Sequence, residues 1–473
     1  MKIKSTSLIL IITLVFSFLF TATPVKAAAY GTTFTTSVTY QNVDTNPATI
    51  TINFYPQNSG TPIIINRPDL AAGASTSVYV GGITELGTSF NGSAILTSGA
   101  KLAATIVQIA PTASGVKNRP LSNGFASGAN YVLIPTVLKN TFNTNSVFSV
   151  MNVGSSATPI EVKFVPVSGS PIIYNIASLP SGAAQYFDMG TFPQITTSTF
   201  NGSVQLTAGT GGTIVATSME LSTSGIEAYA FEGAITDATK VYMPSAQCKF
   251  GPLSNTTTAY AVQNTSTTTA ANVTIRYSNG NVHGPVSIPA GAKQSFDGCA
   301  SAAGNPAGFS GSAVIEATGG ANIVAVGKVY GGGVSSAFLG FNDGVAKLAL
   351  PYVRWTEAHW NDATRQRAYI AIQNVGTTDI AAGLVTVKYV DKNGVVIGTQ
   401  TLGAIAAGAK ANSNPSVLGA AGAEFGAYSD GSFGGGAIVE GPVGSKLAVV
   451  VRITTSLGGG SMAAEDYSGI PIQ

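Results

Sequence analysis

"AIQNVGTT" (Ala371–Thr378) is a strand that runs into an asparagine and then a turn, and the chain contains that pattern four times. The other copies are "TYQNVDTN" at Thr39–Asn46, "SVMNVGSS" at Ser149–Ser156 and "AVQNTSTT" at Ala261–Thr268. Asn42, Asn152, Asn264 and Asn374 are thereby spaced about 110 residues apart. Two more markers keep the same register. One is a small-residue turn: "LAAGAS" from Leu70, "LPSGAA" from Leu179, "IPAGAK" from Ile288 and "IAAGAK" from Ile405. The other is "FNGSAIL" from Phe90, "FNGSVQL" from Phe200, "FSGSAVI" from Phe309 and "FGGGAIV" from Phe433. Three markers in four copies establish an internal repeat.

Each repeat reads as β-structure. Alternating stretches such as "ATITINFY", "IEVKFV", "NVTIRY" and "LVTVKYV" put every second residue on one face, which gives each strand a core side and a water side. "SNGN" and "DKNG" follow two of them as hairpin turns, because Asn-Gly accepts positive φ. About seven short strands per repeat, without helical periodicity, predict an all-β chain of four tandem immunoglobulin-like β-sandwiches. A β-solenoid would repeat at a far shorter interval. The expected division is a signal peptide at 1–27, sandwiches at 28–130, 131–240, 241–347 and 348–466, and a C-terminal strand at 467–473.

The stretch Tyr369–Lys410, "YIAIQNVGTTDIAAGLVTVKYVDKNGVVIGTQTLGAIAAGAK", resembles the bacterial cell-adhesion-related immunoglobulin-like repeat. The likeness covers about 40 residues of each repeat. It implies an extracellular or surface sandwich module and carries no catalytic residue.

Composition narrows the function classes. Of 473 residues only 9% are charged, and the net charge is +2, so there is no basic stripe for nucleic acid. A hydrophobic content of 45% supports packed cores. Lys2 and Lys4 precede an apolar run from about Leu8 to Phe20, and the small residues Val25 and Ala27 at the −3 and −1 positions suit cleavage after Ala27. That run is shorter than a membrane span, so the expected mature chain is secreted, extracellular or on the cell surface, with no transmembrane segment. In an oxidising compartment Cys248 and Cys299, the only cysteines, predict one disulfide.

Enzymatic chemistry is not expected. His283 and His359 fall in different repeats, no metal-ligand motif surrounds them, and no catalytic residue, metal or cofactor is assigned. The sequons at Asn91, Asn201, Asn255, Asn264 and Asn272 are open to glycosylation or to a turn role.

The two ends suggest how copies could join. Repeats two to four open on a proline-bearing segment: "NYVLIPTV" (Asn130–Val137), "KVYMPSA" (Lys240–Ala246) and "KLALPYV" (Lys347–Val353). In repeat one the same place falls on "TPVKA" (Thr23–Ala27), which signal cleavage removes. The chain closes on "DYSGIPIQ" (Asp466–Gln473), which reads as a spare copy of that opening strand. Tyr467, Ile470, Pro471 and Ile472 are the expected donor strand, and Tyr30 and Phe34 mark the acceptor region. Such β-strand addition resembles pilin donor-strand complementation. Four sandwiches in a row would hold the ends apart, so the expected partner is a second copy, in a head-to-tail extracellular filament. The bland reading leaves the tail as an overhang and lets residues 28–34 form a makeshift first strand. The alternative function is a monomeric or lattice-forming adhesin or carbohydrate-binding protein. Its candidate surface is Trp355, His359 and Trp360, with glycans or cell surfaces as partners. The bland account of these aromatics is packing on their own domain.

Overall fold

The computed structural model describes residues 33–111, 114–251, 255–360, 365–458 and 461–472. It is all-β, 56% strand, with helix confined to short 3-10 turns. No helix among the described residues is long and apolar enough to cross a membrane.

Unit two shows the plan. One sheet holds, in spatial order, Ile172–Leu179, Thr158–Pro166, Phe200–Ala208 and Tyr131–Lys139. The facing sheet holds Ala184–Asp188, Thr144–Asn152, Ile214–Ser222 and Ala228–Glu232. Every pairing is antiparallel. The alternation read from the sequence delivers the core: Val162, Phe164, Val204 and Leu206 from one sheet meet Phe148, Val150 and Ile214 from the other, all buried. The unit has eight strands where the sequence suggested about seven. Unit three repeats both sheets, and the Cys248–Cys299 disulfide ties its opening strand to the turn after Lys293–Asp297.

The marker asparagine is a keystone for the turn that follows it. Asn152 Nδ2 donates to the carbonyls of Ser156 (2.8 Å) and Leu179 (2.9 Å), and Gly154 N donates to its Oδ1 at 2.9 Å. Asn42, Asn264 and Asn374 make the same three kinds of bond. All four are buried, so a wholly enclosed amide ties the first marker to the small-residue turn of the second. The buried amide of Asn264 leaves no room for a glycan there.

The units do not lie in a row, which corrects the expectation that the chain ends are far apart. They close into a ring. Ser93 Oγ of unit one donates to Gly182 O of unit two, Ser203 Oγ to Gly291 O of unit three, and Ser312 Oγ to Gly408 O of unit four. At the fourth seam Gly435 N of unit four donates to Ser75 Oγ of unit one, and Ser75 N donates to Lys392 O. Each small-residue turn thus sits on the sandwich before it, and the first sits on the last. At the hub, Asn118 Nδ2 donates to Ala228 O and Ser335 O, Arg119 N to Glu465 Oε2, and Asn123 Nδ2 to Ser468 O. Unit one's segment Asn118–Asn123 therefore touches the other three units.

Candidate functional site

Unit one departs from the plan at one place. Its second sheet is complete, with Ser75–Tyr79, Thr35–Asn42, Leu102–Ile109 and Leu121–Asn123. Its first sheet has only Ile63–Leu70, Ala48–Pro56 and Gly92–Ser98 among the described residues. Elsewhere the strand equivalent to Gly92–Ser98 is flanked on its far side by the proline-bearing opening strand: Phe200–Ala208 by Tyr131–Lys139, Phe309–Thr318 by Lys240–Cys248, and Gly436–Glu440 by Lys347–Leu350. In unit one that edge has no strand beside it among the described residues.

Burial records the same gap. Leu206, Ile315 and Val439 are sealed in their cores, whereas their counterpart Leu96 is only half-buried. Ile214, Ile323 and Leu447 are sealed, whereas Leu102 is not; Ala104 and Ile106 are likewise half-buried. Ala94, Leu96, Leu102, Ala104 and Ile106 line a cleft of about 2930 Å³. An open strand edge above a half-exposed apolar row is the arrangement that native sheets normally cover.

The C-terminal tail borders this cleft through Gly469–Ile472, yet it belongs structurally to the end of unit four. Tyr467 lies in the last strand of unit four, Ser461–Ser468, and is buried in that unit's core. Its hydroxyl donates to Tyr352 O at 2.7 Å and accepts from Tyr352 N at 3.3 Å. Gly469 N then donates to Val449 O (2.7 Å), as Gly124 N does to Ala104 O, Gly233 N to Ala216 O and Gly340 N to Ala325 O. The next residue pairs with its own unit's opening strand: Ile470 with Ala349, as Ala234 does with Leu133 and Phe341 with Tyr242. "DYSGIPIQ" is therefore equivalent to the closing segment of each unit, where the sequence suggested the opening one. Among the described residues only Ile470, Pro471 and Ile472 lie beyond the core, held by two residue pairs and by Ile472 N donating to Lys347 O at 3.0 Å.

Of the expected acceptor residues, Tyr30 lies outside the described residues. Phe34 packs beside Val116 of unit one and Leu221 and Ala228 of unit two.

The aromatic loop of unit four is packed on itself. Trp355 is buried, its Nε1 donating to Glu357 Oε1 at 2.7 Å. The Arg367 guanidinium lies 5.0 Å from the Trp355 ring and 4.5 Å from the Trp360 ring, so it fills the gap between them. Glu357 pairs with Arg367 at 3.2 Å. His359 is exposed. The buried face of Trp355 is therefore not a platform for a sugar ring.

Several buried acidic and basic groups lie at seams. Lys293 donates to Thr136 Oγ1 of unit two at 2.8 Å, and burial pushes its ammonium down to about 7, with Lys328 adding to the effect and Glu220 opposing it. Lys328 in turn pairs with Glu220 across the same seam. Glu465, enclosed at the hub, is pushed up to about 8 by burial, against the opposing influence of Arg119. Arg452 spans Asp466 (2.8 Å) and unit three's Gln247 (2.8 Å). Among the described residues, no three His, Cys, Asp or Glu side chains gather as metal ligands would.

No protein-family model matches the chain, and no curated protein matches it. A solved structure with some similarity is a tetra-tandem repeat from the extending region of a large adhesion protein, 11% identical, covering 92% of this chain and 95% of that one at a TM-score of 0.11. A likeness at that TM-score carries no weight for function.

Proposed function

We propose that the chain is a non-catalytic structural protein of the cell exterior that joins other polypeptides by strand addition at unit one. The observation that carries this reading is the half-exposed row Leu96, Leu102 and Ile106 beneath a strand edge that is covered in each sister unit. Strand addition supplies backbone hydrogen bonds to the edge and apolar side chains to the row together. A structural role also accounts for the buried titratable groups Lys293, Glu220 and Glu465 and the half-buried Arg452, which are engaged in holding units together. The head-to-tail polymer is the special case in which a neighbour's Ile470–Gln473 is the donor.

The test is a Leu96→Arg chain, compared with the unaltered chain by negative-stain microscopy and sedimentation after export. Loss of higher assemblies with a native circular dichroism spectrum supports the proposal. Assemblies unchanged by Leu96→Arg overturn it. Deleting Ile470–Gln473 separately decides whether the tail is the donor, since the deletion leaves Tyr467 in place.

A further inference from the structure

The three sister units define what the unit-one groove selects. In unit two, Val132 lies opposite Leu206 and Ile134 opposite Val204; the register then slips, and Val137 lies opposite Gly202. In unit three, Val241 lies opposite Ile315, Met243 opposite Ala313 and Ala246 opposite Gly311, with the slip at the same point. In unit four, Leu348 lies opposite Val439 and Leu350 opposite Ala437, and Val353 N donates to Gly435 O at 3.4 Å. All nine of these inserted side chains are buried.

The common pattern is apolar, any, apolar, Pro, any, apolar. Proline falls where two residues of the opening strand face a single residue of its neighbour, Ser203 or Ser312. A bulge of this kind leaves one residue outside the ladder, so proline's missing N–H costs nothing there.

We propose that the occupant of the unit-one groove is a segment of a separate polypeptide carrying this pattern and running antiparallel to Gly92–Ser98. The proposal rests on the strand-addition reading above and adds its sequence rule. By homology of register, the first apolar residue sits opposite Leu96, the second opposite Ala94, and proline reaches the bulge facing Ser93. The third would come opposite Gly92, whose carbonyl already accepts from the Tyr186 hydroxyl of unit two. Selectivity therefore lies mainly in the first two positions. The tail fits the rule poorly: if Pro471 takes the bulge and Ile470 the second position, Ser468 and Gln473 fall on the apolar ones. A donor from outside the chain's own tail is the expected partner.

The experiment uses the full exported chain and a synthetic peptide copying Tyr131–Lys139, "YVLIPTVLK". Binding is followed by fluorescence anisotropy and by amide hydrogen exchange across Gly92–Ser98. The expected result is saturable binding with slowed exchange in that strand. Val132→Asp or Ile134→Asp in the peptide should weaken it at least tenfold, and a peptide copying Ser468–Gln473 should bind at least tenfold less tightly. Equal binding of all extended peptides with slowed exchange overturns the sequence rule and leaves strand addition standing. No binding by any peptide, which is also the outcome if the chain's own N-terminal residues fill the groove, overturns both.

Discussion

Asn152→Ala and Asn152→Asp together test whether the marker asparagine holds each sandwich together. Asn152 is fully enclosed and makes three side-chain hydrogen bonds. Alanine removes all three, at about 1 kcal/mol net each. It also strands the Leu179 carbonyl inside the protein, adding a desolvation penalty of about 1–3 kcal/mol. The expected cost is thus on the order of 4 kcal/mol, a large part of a single domain's stability. Aspartate is nearly isosteric and keeps the acceptor for Gly154 N. Its second oxygen, however, would face the Ser156 and Leu179 carbonyls at the 2.8 and 2.9 Å now occupied by a donor. The folded state must then hold that carboxyl protonated, which raises its pKa above the unfolded value of about 4. A raised carboxyl pKa gives stability that is present below the unfolded value and lost as pH rises. Asn152→Asp should therefore be at least as damaging as alanine near neutral pH and recover as pH approaches about 4. Guanidinium titrations, with hydrogen exchange of Thr144–Asn152 and Thr158–Pro166 to localise the effect, measure both. If the aspartate variant matches the unaltered chain at neutral pH, or alanine costs under about 1 kcal/mol, the amide is not what holds the turn.

Glu465 gives a pH dependence of known sign. With a folded value of about 8 against 4.5 for an ordinary glutamate, its contribution is complete below pH 4.5 and is lost as pH rises to about 8. Glu465→Gln should remove that slope in urea midpoints measured across the window, and a variant with an unchanged slope would place the titration elsewhere. Lys293 acts in the opposite sense. Its folded value of about 7 lies below 10.5, so the folded state gains stability as pH rises between them. Lys293→Met should flatten that rise and stabilise the chain below pH 7. Cutting the Cys248–Cys299 link, whose residues are 51 apart in sequence, should lower unit three's stability by about 2–4 kcal/mol and leave exchange rates in unit one unchanged.

The repeat was legible because its markers do local work that any copy must do. Asn42, Asn152, Asn264 and Asn374 close a turn, and the glycine of the small-residue marker has positive φ in all four copies, from Gly73 to Gly408. The tail was misleading because Ile470–Pro471 copies two letters of an opening strand. Its true register is set by Gly469, whose N–H meets a carbonyl on the neighbouring strand, a backbone bond that leaves little trace in side-chain identity. The ring was hidden for the same reason. The bonds that recur from seam to seam are made by serine hydroxyls and backbone groups, together with glycines that admit another unit's main chain.

One part of the ring is nonetheless visible in the sequence once its cause is known. The third marker reads Asn-Gly-Ser or Ser-Gly-Ser in units one to three but Gly-Gly-Gly at Gly434–Gly436 in unit four. Unit four is the one that must receive unit one, and it does so main chain to main chain. A Cβ on Gly434 would come within 2.7 Å of Ser75 O, while one on Gly436 would meet its own unit's Leu350 O at 2.6 Å as well as the Gln41 side chain of unit one at 2.8 Å. Across the same seam a Cβ on Gly394 would lie 2.2 Å from Ala72 O. Side chains at these positions would hold unit one's small-residue turn off its seat, so the serine donor used at the other three seams is given up. Its place is taken by Gly435 N donating to Ser75 Oγ, a bond that keeps the direction of donation from one unit to the next but makes the serine the acceptor. A marker that loses its serine only in the unit that meets unit one marks where the chain closes on itself. The serine donor is lost there with that closure, which also brings the tail of unit four to the border of unit one's groove.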